Sequence, residues 1–300
     1  VGSPGELASL TQAHGIPLVV DAAWAAHFGF HPDLPHHALA LGADALVTSA
    51  HKTLPAWSQG ALILARDERI DLGRLDAAVE ATHTTSPAGA ILASIDAAVA
   101  LLARDGQELL GRLLDVVARA RARLAQVPGL VVMDGPRVDP AKLVLLLAGT
   151  GADGNAVEAG LIEHGLPVEM ADRDTIVAMV TMADDEGTVG HFVDAVVNLV
   201  ETLRGEPRPT VPAAAWTVEP AIVCPPREAF FAAHQAVPTD AAVGRVSAEL
   251  IAPYPPGVPV LSPGERVTAQ VLAALASARA AGVRIAYAAD PTLATLRVLA

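Results

Sequence analysis

Two segments decide the fold of this chain: PLVVDAAWAAHFGF at residues 17–30 and LVTSAHKTLPAWSQG at residues 46–60. In each segment a short apolar run ends at polar side chains, with Asp21 after the first run and Lys52 after the second. Short β-branched runs bounded by turn residues predict buried parallel strands. Functional groups in open α/β sheets gather just beyond the carboxyl ends of the strands. We therefore predict that a carboxylate and an amine, about one βαβ unit apart, face one crevice.

This pairing of an amine with a carboxylate has a specific chemical use. A lysine beside a hydroxyl and an imidazole can form a Schiff base with an aldehyde cofactor, and an aspartate can keep a pyridine nitrogen protonated. These are the two protein groups that pyridoxal phosphate (PLP) chemistry most needs. A surface lysine and a strand-end aspartate with no common role would show the same spacing, so spacing alone leaves both interpretations open.

The sequences of these motifs resemble those of one family. The run SAHKTLPAWSQG (residues 49–60) resembles the S-x-H-K lysine signature of the PLP-dependent ornithine/lysine/arginine decarboxylases, and VDAAWAAHFGFHP (20–32) resembles their aspartate strand. Towards the other end, PREAFFA (226–232) and GRVSAELIAPYPPGVPVLSPGE (244–265) resemble the C-terminal domain signature of that family. Because the motifs occur in the right order and at the right distance, a generic α/β protein is the weakest alternative.

The resemblance implies an α/β chain built on the fold type I PLP-dependent transferase plan. Residues 1–105 would be the C-terminal part of the PLP-binding large domain, and residues 106–205 a small α+β domain. A linker over 206–220 would lead to an α+β decarboxylase C-terminal domain over 221–300. A long helix is expected between the first two domains, broken near residues 105–106. Such enzymes carry an N-terminal portion with a phosphate-binding loop before this point, so we expect a C-terminal fragment.

The resemblance also implies roles for individual residues. Lys52 would hold PLP, Asp21 would pair with the pyridine nitrogen, and His51 would bind phosphate or deliver a proton. The other implied cofactor contacts are Ala23 against the ring, Ser49 at the phosphate, and Thr85 and Ser86 reaching the phosphate across a dimer.

Four of the candidate residues also have plain structural interpretations. Trp24 would form a wall of the substrate pocket or belong to the core. Glu249 would hold the distal cation of the substrate or be a solvated or capped acid. Thr85 and Ser86 precede a proline, which is also the pattern of a helix N-cap.

Composition excludes several classes of partner and site. The formal net charge of −13 argues against nucleic acid and anionic membranes as partners. No apolar run reaches the ~18 residues of a membrane span. A single cysteine, Cys224, excludes a disulfide within the chain. The histidines of the loop after Asp21 lack a ligand spacing, so no metal is predicted and polar loop histidines are expected: His27, His31, His36 and His37.

Local patterns predict several further elements. A helix ends at Gly15, a third strand over residues 60–64 follows the lysine, three strands cover 129–134, 142–147 and 175–181, and two helices cover 155–164 and 189–203. Residues 35–42 are expected to form a short helix, and Phe230 and Phe231 are expected to lie in the core. The 52% hydrophobic content with only 3% aromatics predicts cores built from Ala, Val and Leu.

The function that the resemblance implies is decarboxylation of arginine, lysine or ornithine to the amine and carbon dioxide, and this activity is expected to be incomplete in the truncated chain, which lacks part of the cofactor site. It also implies a cytoplasmic homodimer or larger homo-oligomer with a shared site, acting in polyamine metabolism. Two alternatives remain open: a non-catalytic relative that acts as a partner subunit, and an aminotransferase or lyase of the same fold. The residues themselves do not choose among the three basic substrates.

Overall fold

The computed structural model describes residues 2–210, 216–254 and 257–300, so part of the predicted linker and of the PYPPG segment lies outside the described residues. The helices in these ranges are α1 (Pro4–Ala13), α2 (Ala50–Thr53), α3 (Leu72–Thr82), α4 (Gly89–Leu124), α5 (Gly154–Glu163), α6 (Glu186–Thr202), α7 (Pro226–Phe231) and α8 (Ala269–Ala280). The strands are β1 (Val19–Asp21), β2 (Ala45–Ser49), β3 (Ala61–Ala65), β4 (Val131–Val132), β5 (Lys142–Leu146), β6 (Met170–Ala171), β7 (Thr175–Met179), β8 (His234–Pro238), β9 (Ala252–Tyr254), β10 (Arg284–Ala286) and β11 (Thr295–Leu299). None of these helices combines the length and the apolar character that spanning a bilayer requires.

The chain divides into two compact units. The first comprises Val1–Val127, Val132–Val144 and Ala178–Ala195. The second comprises Pro128–Val131, Leu145–Val177 and Val196–Ala300. The four-part division drawn from the sequence stays a prediction.

A three-stranded sheet of order β1-β2-β3 organises the first unit. The predicted parallel pairing of β1 with β2 is confirmed, with Asp21 level with Val47. The predicted third strand is present as β3, antiparallel to β2. The buried carboxylate of Asp44 fixes the entry to the sheet, because it accepts a hydrogen bond from Leu18 N (2.8 Å) and pairs with Arg69 (2.6 Å).

The prediction that these strands are buried is wrong for one face of the sheet. Strand partners share a face, so Val19, Asp21, Val47 and Ile63 point to the same side. The side chain of Val19 is 59% exposed, and Val47 and Ile63 are exposed as well. The opposite face packs Leu46 against a small cluster of alanines and leucines. An apolar run corresponds to a fully buried strand only when both faces of the sheet are covered. In the described residues one face of this sheet is open.

Two further predictions about the first unit are wrong. Residues 35–42 form turns rather than a helix. The segment begins at a proline and ends at a glycine in the left-handed region (Gly42, φ 99°), and the stretch between them is too short to form a helix. The expected break near residues 105–106 is absent, since α4 runs without interruption. Gly106 is buried in that helix, close to Leu102 and Phe30, so packing outweighs the low helix propensity of glycine.

A four-stranded sheet of order β4-β5-β7-β6 corresponds to the small α+β pattern that the sequence predicts. The predicted strands over residues 129–134, 142–147 and 175–181 are confirmed as β4, β5 and β7. The predicted helices over 155–164 and 189–203 are confirmed as α5 and α6. The two-residue strand β6 pairs with β7 in antiparallel register and is too short to leave a periodic signal.

The C-terminal part of the second unit packs α8 and two antiparallel strand pairs, β8 with β11 and β9 with β10, around an aliphatic core. Its most buried members are Ile251, Leu261, Val267, Leu275, Leu296 and Val298. The core is aliphatic as predicted, but the placement of the two phenylalanines in it is wrong. Phe230 and Phe231 are 64% and 72% exposed on α7 and contact each other edge to face.

Candidate active site

The first half of the site lies where β1 ends. Asp21 is the last residue of β1, on the open face of the sheet, and its Oδ1 accepts a hydrogen bond from Ala23 N (3.0 Å). The chain then turns through Ala22 to Ala25, and Ala22 N donates to Val47 O (2.8 Å). The Thr48 hydroxyl closes the same corner by donating to Ala22 O (2.8 Å). This short turn holds the carboxylate at the carboxyl end of the strand.

The second half follows the neighbouring strand. Ser49 ends β2, and α2 carries His51 and Lys52 directly after it. His51 Nδ1 lies 2.8 Å from the carbonyl oxygen of Gly60. Because a carbonyl only accepts, Nδ1 carries the proton of this contact, which leaves Nε2 as the other ring position for chemistry. Since β1 and β2 are adjacent and parallel, the predicted acid and amine leave the same edge of the sheet.

Trp24 lies between these two halves and joins them. The Nζ atom of Lys52 is 5.8 Å from the centroid of the Trp24 ring. Lys142 Nζ lies at the same distance from that ring. The chain contains only these two lysines, against eighteen arginines. The half-buried Trp24 is therefore the common neighbour of every lysine in the protein.

A buried charged cluster that the sequence reasoning missed supports this tryptophan. Lys142 and Asp139 form an ion pair, with side chains 8% and 7% exposed, and Lys142 Nζ also donates to the carbonyl oxygen of Trp24 (3.0 Å). His27 is buried at 2% exposure, with Nε2 3.5 Å from Asp139 Oδ1. His27 is a loop histidine as expected, but it is buried against Asp139. The scarcity of lysine was the signal in the sequence that could have drawn attention to Lys142.

The electrostatics of this cluster favour the ionised acid. Burial by itself would raise the pKa of Asp139, but the neighbouring His27 ring and the Lys142 ammonium outweigh it and lower the pKa to about 2. The Asp139 carboxylate is thus ionised throughout the neutral range. The ionised Asp139 carboxylate therefore holds the Lys142 ammonium in place beside Trp24.

Thr85 and Ser86 are not brought together with the groups above by any contact among the described residues. They lie in the exposed segment between α3 and α4, where Ser86 N donates to Thr84 Oγ1 (3.3 Å). The N-cap alternative is wrong, because α4 starts after Ala88. Their role at a phosphate across a dimer stays a prediction.

Glu249 lies in the second unit and is a capped acid rather than a solvated one. Its side chain is 7% exposed, and its two oxygens accept hydrogen bonds from Ala289 N (2.7 Å) and Arg297 N (2.6 Å). These contacts give the carboxylate a role in joining backbone segments of that unit. The predicted role of Glu249 with a substrate cation stays a prediction.

The groups at the edge of the sheet fit PLP by their chemistry. A primary amine suits the aldehyde, a carboxylate suits a protonated pyridine nitrogen, and the Ser49 hydroxyl suits a phosphate oxygen. All three lie at or just after the carboxyl ends of β1 and β2, and Asp21 stands on an open face with room beside it.

Solved structures show the class of fold. The chain superposes on the constitutive lysine decarboxylase of E. coli with a TM-score of 0.77, at 21% identity, covering 97% of this chain and 55% of that one. It also matches alanine–glyoxylate aminotransferase from Nostoc sp. with a TM-score of 0.51, at 19% identity, over 65% of this chain and 56% of that one. The fold is that of the PLP-dependent enzymes of fold type I.

Sequence comparison then identifies the family. Residues 5–134 match the Orn/Lys/Arg decarboxylase major domain, and residues 211–284 match the Orn/Lys/Arg decarboxylase C-terminal domain. The arginine decarboxylase of Halalkalibacterium halodurans is 31% identical to the chain, over 98% of the chain and 62% of that relative. The lysine decarboxylase LdcA of Pseudomonas aeruginosa is 24% identical, over 73% and 42%. The chain belongs to the Orn/Lys/Arg decarboxylase family and spans about 62% of the length of its arginine decarboxylase relatives.

Proposed function

We propose that this chain supplies the cofactor lysine and the pyridine-binding acid of a PLP-dependent decarboxylase, which converts a basic amino acid to the corresponding amine and carbon dioxide. One observation carries the proposal. Lys52 and Asp21 follow adjacent parallel strands, and the ammonium of Lys52 lies over the ring of the tryptophan three residues beyond Asp21. Family membership supports this chemistry and supplies the expected reaction.

Each residue then has a task that its position supports. PLP, when bound, supplies an electron-accepting ring beside the α-carbon of the substrate. Lys52 would hold the cofactor through its side-chain amine until the substrate amine takes its place. The Asp21 carboxylate, oriented by Ala23 N, keeps a proton on the pyridine nitrogen. Ala23 leaves space for the ring, and Ser49 binds a phosphate oxygen.

His51 is proposed to carry a proton at Nε2. Its Nδ1 is committed to the Gly60 carbonyl, so the ring orientation is fixed and Nε2 is the atom that can give a proton to the substrate carbon or bind phosphate. Trp24 is proposed to form a wall of the substrate pocket, since its ring already contacts one cation and can do the same for a cationic substrate.

The substrate and the assembly are proposed from the family. Among the relatives named above, the arginine decarboxylase is more similar to the chain than the lysine decarboxylase, so arginine is the first substrate to test, followed by lysine and ornithine. We also propose a cytoplasmic homodimer or larger homo-oligomer in polyamine metabolism, with Thr85 and Ser86 reaching the phosphate in the neighbouring subunit and Glu249 meeting the substrate cation. Mass measurement by light scattering tests the dimer, because a monomer would remove the shared site.

Two measurements test the proposed function. Incubation with PLP followed by borohydride should place the cofactor mass on the peptide that contains Lys52. The Lys52→Ala variant should abolish that adduct. The peptide that contains Lys142, the other lysine of the chain, serves as the internal control in both proteins. Incubation with PLP and carboxyl-labelled arginine, lysine or ornithine should release labelled carbon dioxide. Keto-acid formation would instead support the aminotransferase, and an adduct without turnover would support the partner subunit. An adduct that survives in Lys52→Ala would refute the assignment of the lysine.

A further inference from the structure

The buried cluster of Lys142, Asp139 and His27 has no task in the chemistry above, yet it reaches the turn that carries that chemistry. Lys142 Nζ donates to Asp139 and, over 3.0 Å, to the main-chain oxygen of Trp24. Because the second of these hydrogen bonds is to a backbone carbonyl, Lys142 fixes the course of the chain just after β1. A small cavity lined in part by Lys142, His27 and Thr53 shows that the cluster also borders α2 at the residue next to Lys52.

The other side of the cluster is anchored to the longest helix of the first unit. Arg121 of α4 donates to the carbonyl oxygens of Asp139 (3.1 Å) and Lys142 (2.6 Å). Ala141 N donates to Asp139 Oδ1 (3.0 Å), which fixes the carboxylate within its own turn. A continuous set of contacts therefore leads from α4 through Asp139 and Lys142 to Trp24.

Stability alone does not account for such an ion pair. A buried pair replaced by apolar side chains of similar volume commonly leaves a protein as stable or more stable. The chain otherwise uses arginine for nearly all its basic residues, eighteen of twenty, but keeps lysine here. A compact ammonium with three donors can meet a carboxylate, a carbonyl and a ring face at once, whereas the planar fork of arginine cannot turn to all three.

We propose that Lys142, held by Asp139, is a positioning residue: it fixes the Trp24 turn so that Asp21 and Lys52 keep their places around one cofactor. The chemical consequence of this inference rests on the proposed function. The effect of Lys142 on the structure of the turn does not depend on the proposed function.

The test removes both charges at once, in the double variant Lys142→Met/Asp139→Asn, so that no unpaired charge stays in the interior. Hydrogen exchange read by mass spectrometry should show amides of the turn, such as those of Ala25 and Phe28, exchanging about tenfold faster, the order expected when a hydrogen bond to a charged group is lost. Exchange in the buried middle of α4 should stay as in the parent. The matched control is Arg123→Met/Asp194→Asn, which removes an exposed ion pair (2.5 Å) of the same unit and should leave the turn unchanged.

A second readout connects the turn to the site. The rate at which PLP becomes fixed to Lys52 by borohydride should fall several-fold in the double variant and not in the control. Faster exchange spread evenly over the unit, or an unchanged turn, would overturn the inference, and so would a normal rate of labelling at Lys52. If the parent itself shows no label on Lys52, the proposed function fails while the exchange data still decide the role of Lys142. Lys142→Arg, which keeps a cation beside Asp139, replaces the double variant if that variant does not fold and should likewise free the turn.

Discussion

Acid should destabilise the first unit through Asp139, and the structure sets the size of the effect. The ordinary pKa of an aspartate, 3.8, falls to about 2 in the folded protein, where burial is outweighed by His27 and Lys142. A difference of this size corresponds to roughly 2 kcal/mol of folding free energy.

The sign of the effect follows from proton binding. Between the two pKa values the unfolded chain binds a proton at Asp139 that the folded protein does not, so stability rises with pH across this window. The contribution is therefore complete above about pH 4 and is lost as the pH falls towards 2. The Asp139→Asn variant lacks this group, so the difference in stability between parent and variant should shrink over the same window.

Urea unfolding at a series of pH values measures this difference. Fluorescence of Trp24 reports on the first unit if Trp57 and Trp216 are replaced by Phe in every protein compared. Asp134→Asn is the matched control, because Asp134 contacts Arg121 (3.0 Å) but is 85% exposed, and its curve should run parallel to that of the parent. Parallel curves for parent and Asp139→Asn from pH 6 to pH 2 would refute the reasoning.

Three further predictions concern stability. Asp44→Ala should cost about 2–3 kcal/mol, because the amide of Leu18 and the guanidinium of Arg69 lose a buried charged partner; urea unfolding measures it, and a loss below about 0.5 kcal/mol would contradict the role of Asp44. Gly264→Ala should destabilise the second unit by more than about 2 kcal/mol, since its φ is +90° and an added Cβ would lie 2.2 Å from Cys224 O; an unchanged thermal midpoint would show that the turn can relax. Phe231→Ser should change stability by no more than about 0.5 kcal/mol because the ring is exposed, and a larger loss in thermal unfolding would place it in an interface.

Matched controls exist for the first two of these predictions. Asp67→Ala removes an exposed acid near Arg69 in sequence and should be close to neutral. Gly190→Ala adds a methyl group to α6, where no atom lies within 4 Å of the added carbon, and should not destabilise the protein. Destabilisation by either control would show that the assay reports general sensitivity to substitution rather than the contacts named.

The elements of the fold were largely readable from local patterns. Paired apolar runs ending at Asp21 and Lys52 predicted parallel strands, and the structure has them as β1 and β2. The Gly15 stop of α1, the strand after the lysine and the strands of the four-stranded sheet were likewise visible in periodicity and turn residues. Boundaries and burial were less readable: Phe231 is apolar and exposed, while His27 is polar and buried. The chemical character of a side chain does not by itself determine whether the folded chain buries it.

The sequence by itself indicated the candidate site residues and the order of the strands that carry them, because both depend on residues close together in the chain. It also carried the motifs by which the family is identified. Only the tertiary structure decided that Lys142, more than a hundred residues from Trp24, donates to its carbonyl and shares its ring with Lys52. Contacts over such separations depend on how α4 and the turn after β4 pack, and packing is a property of the whole unit rather than of any segment.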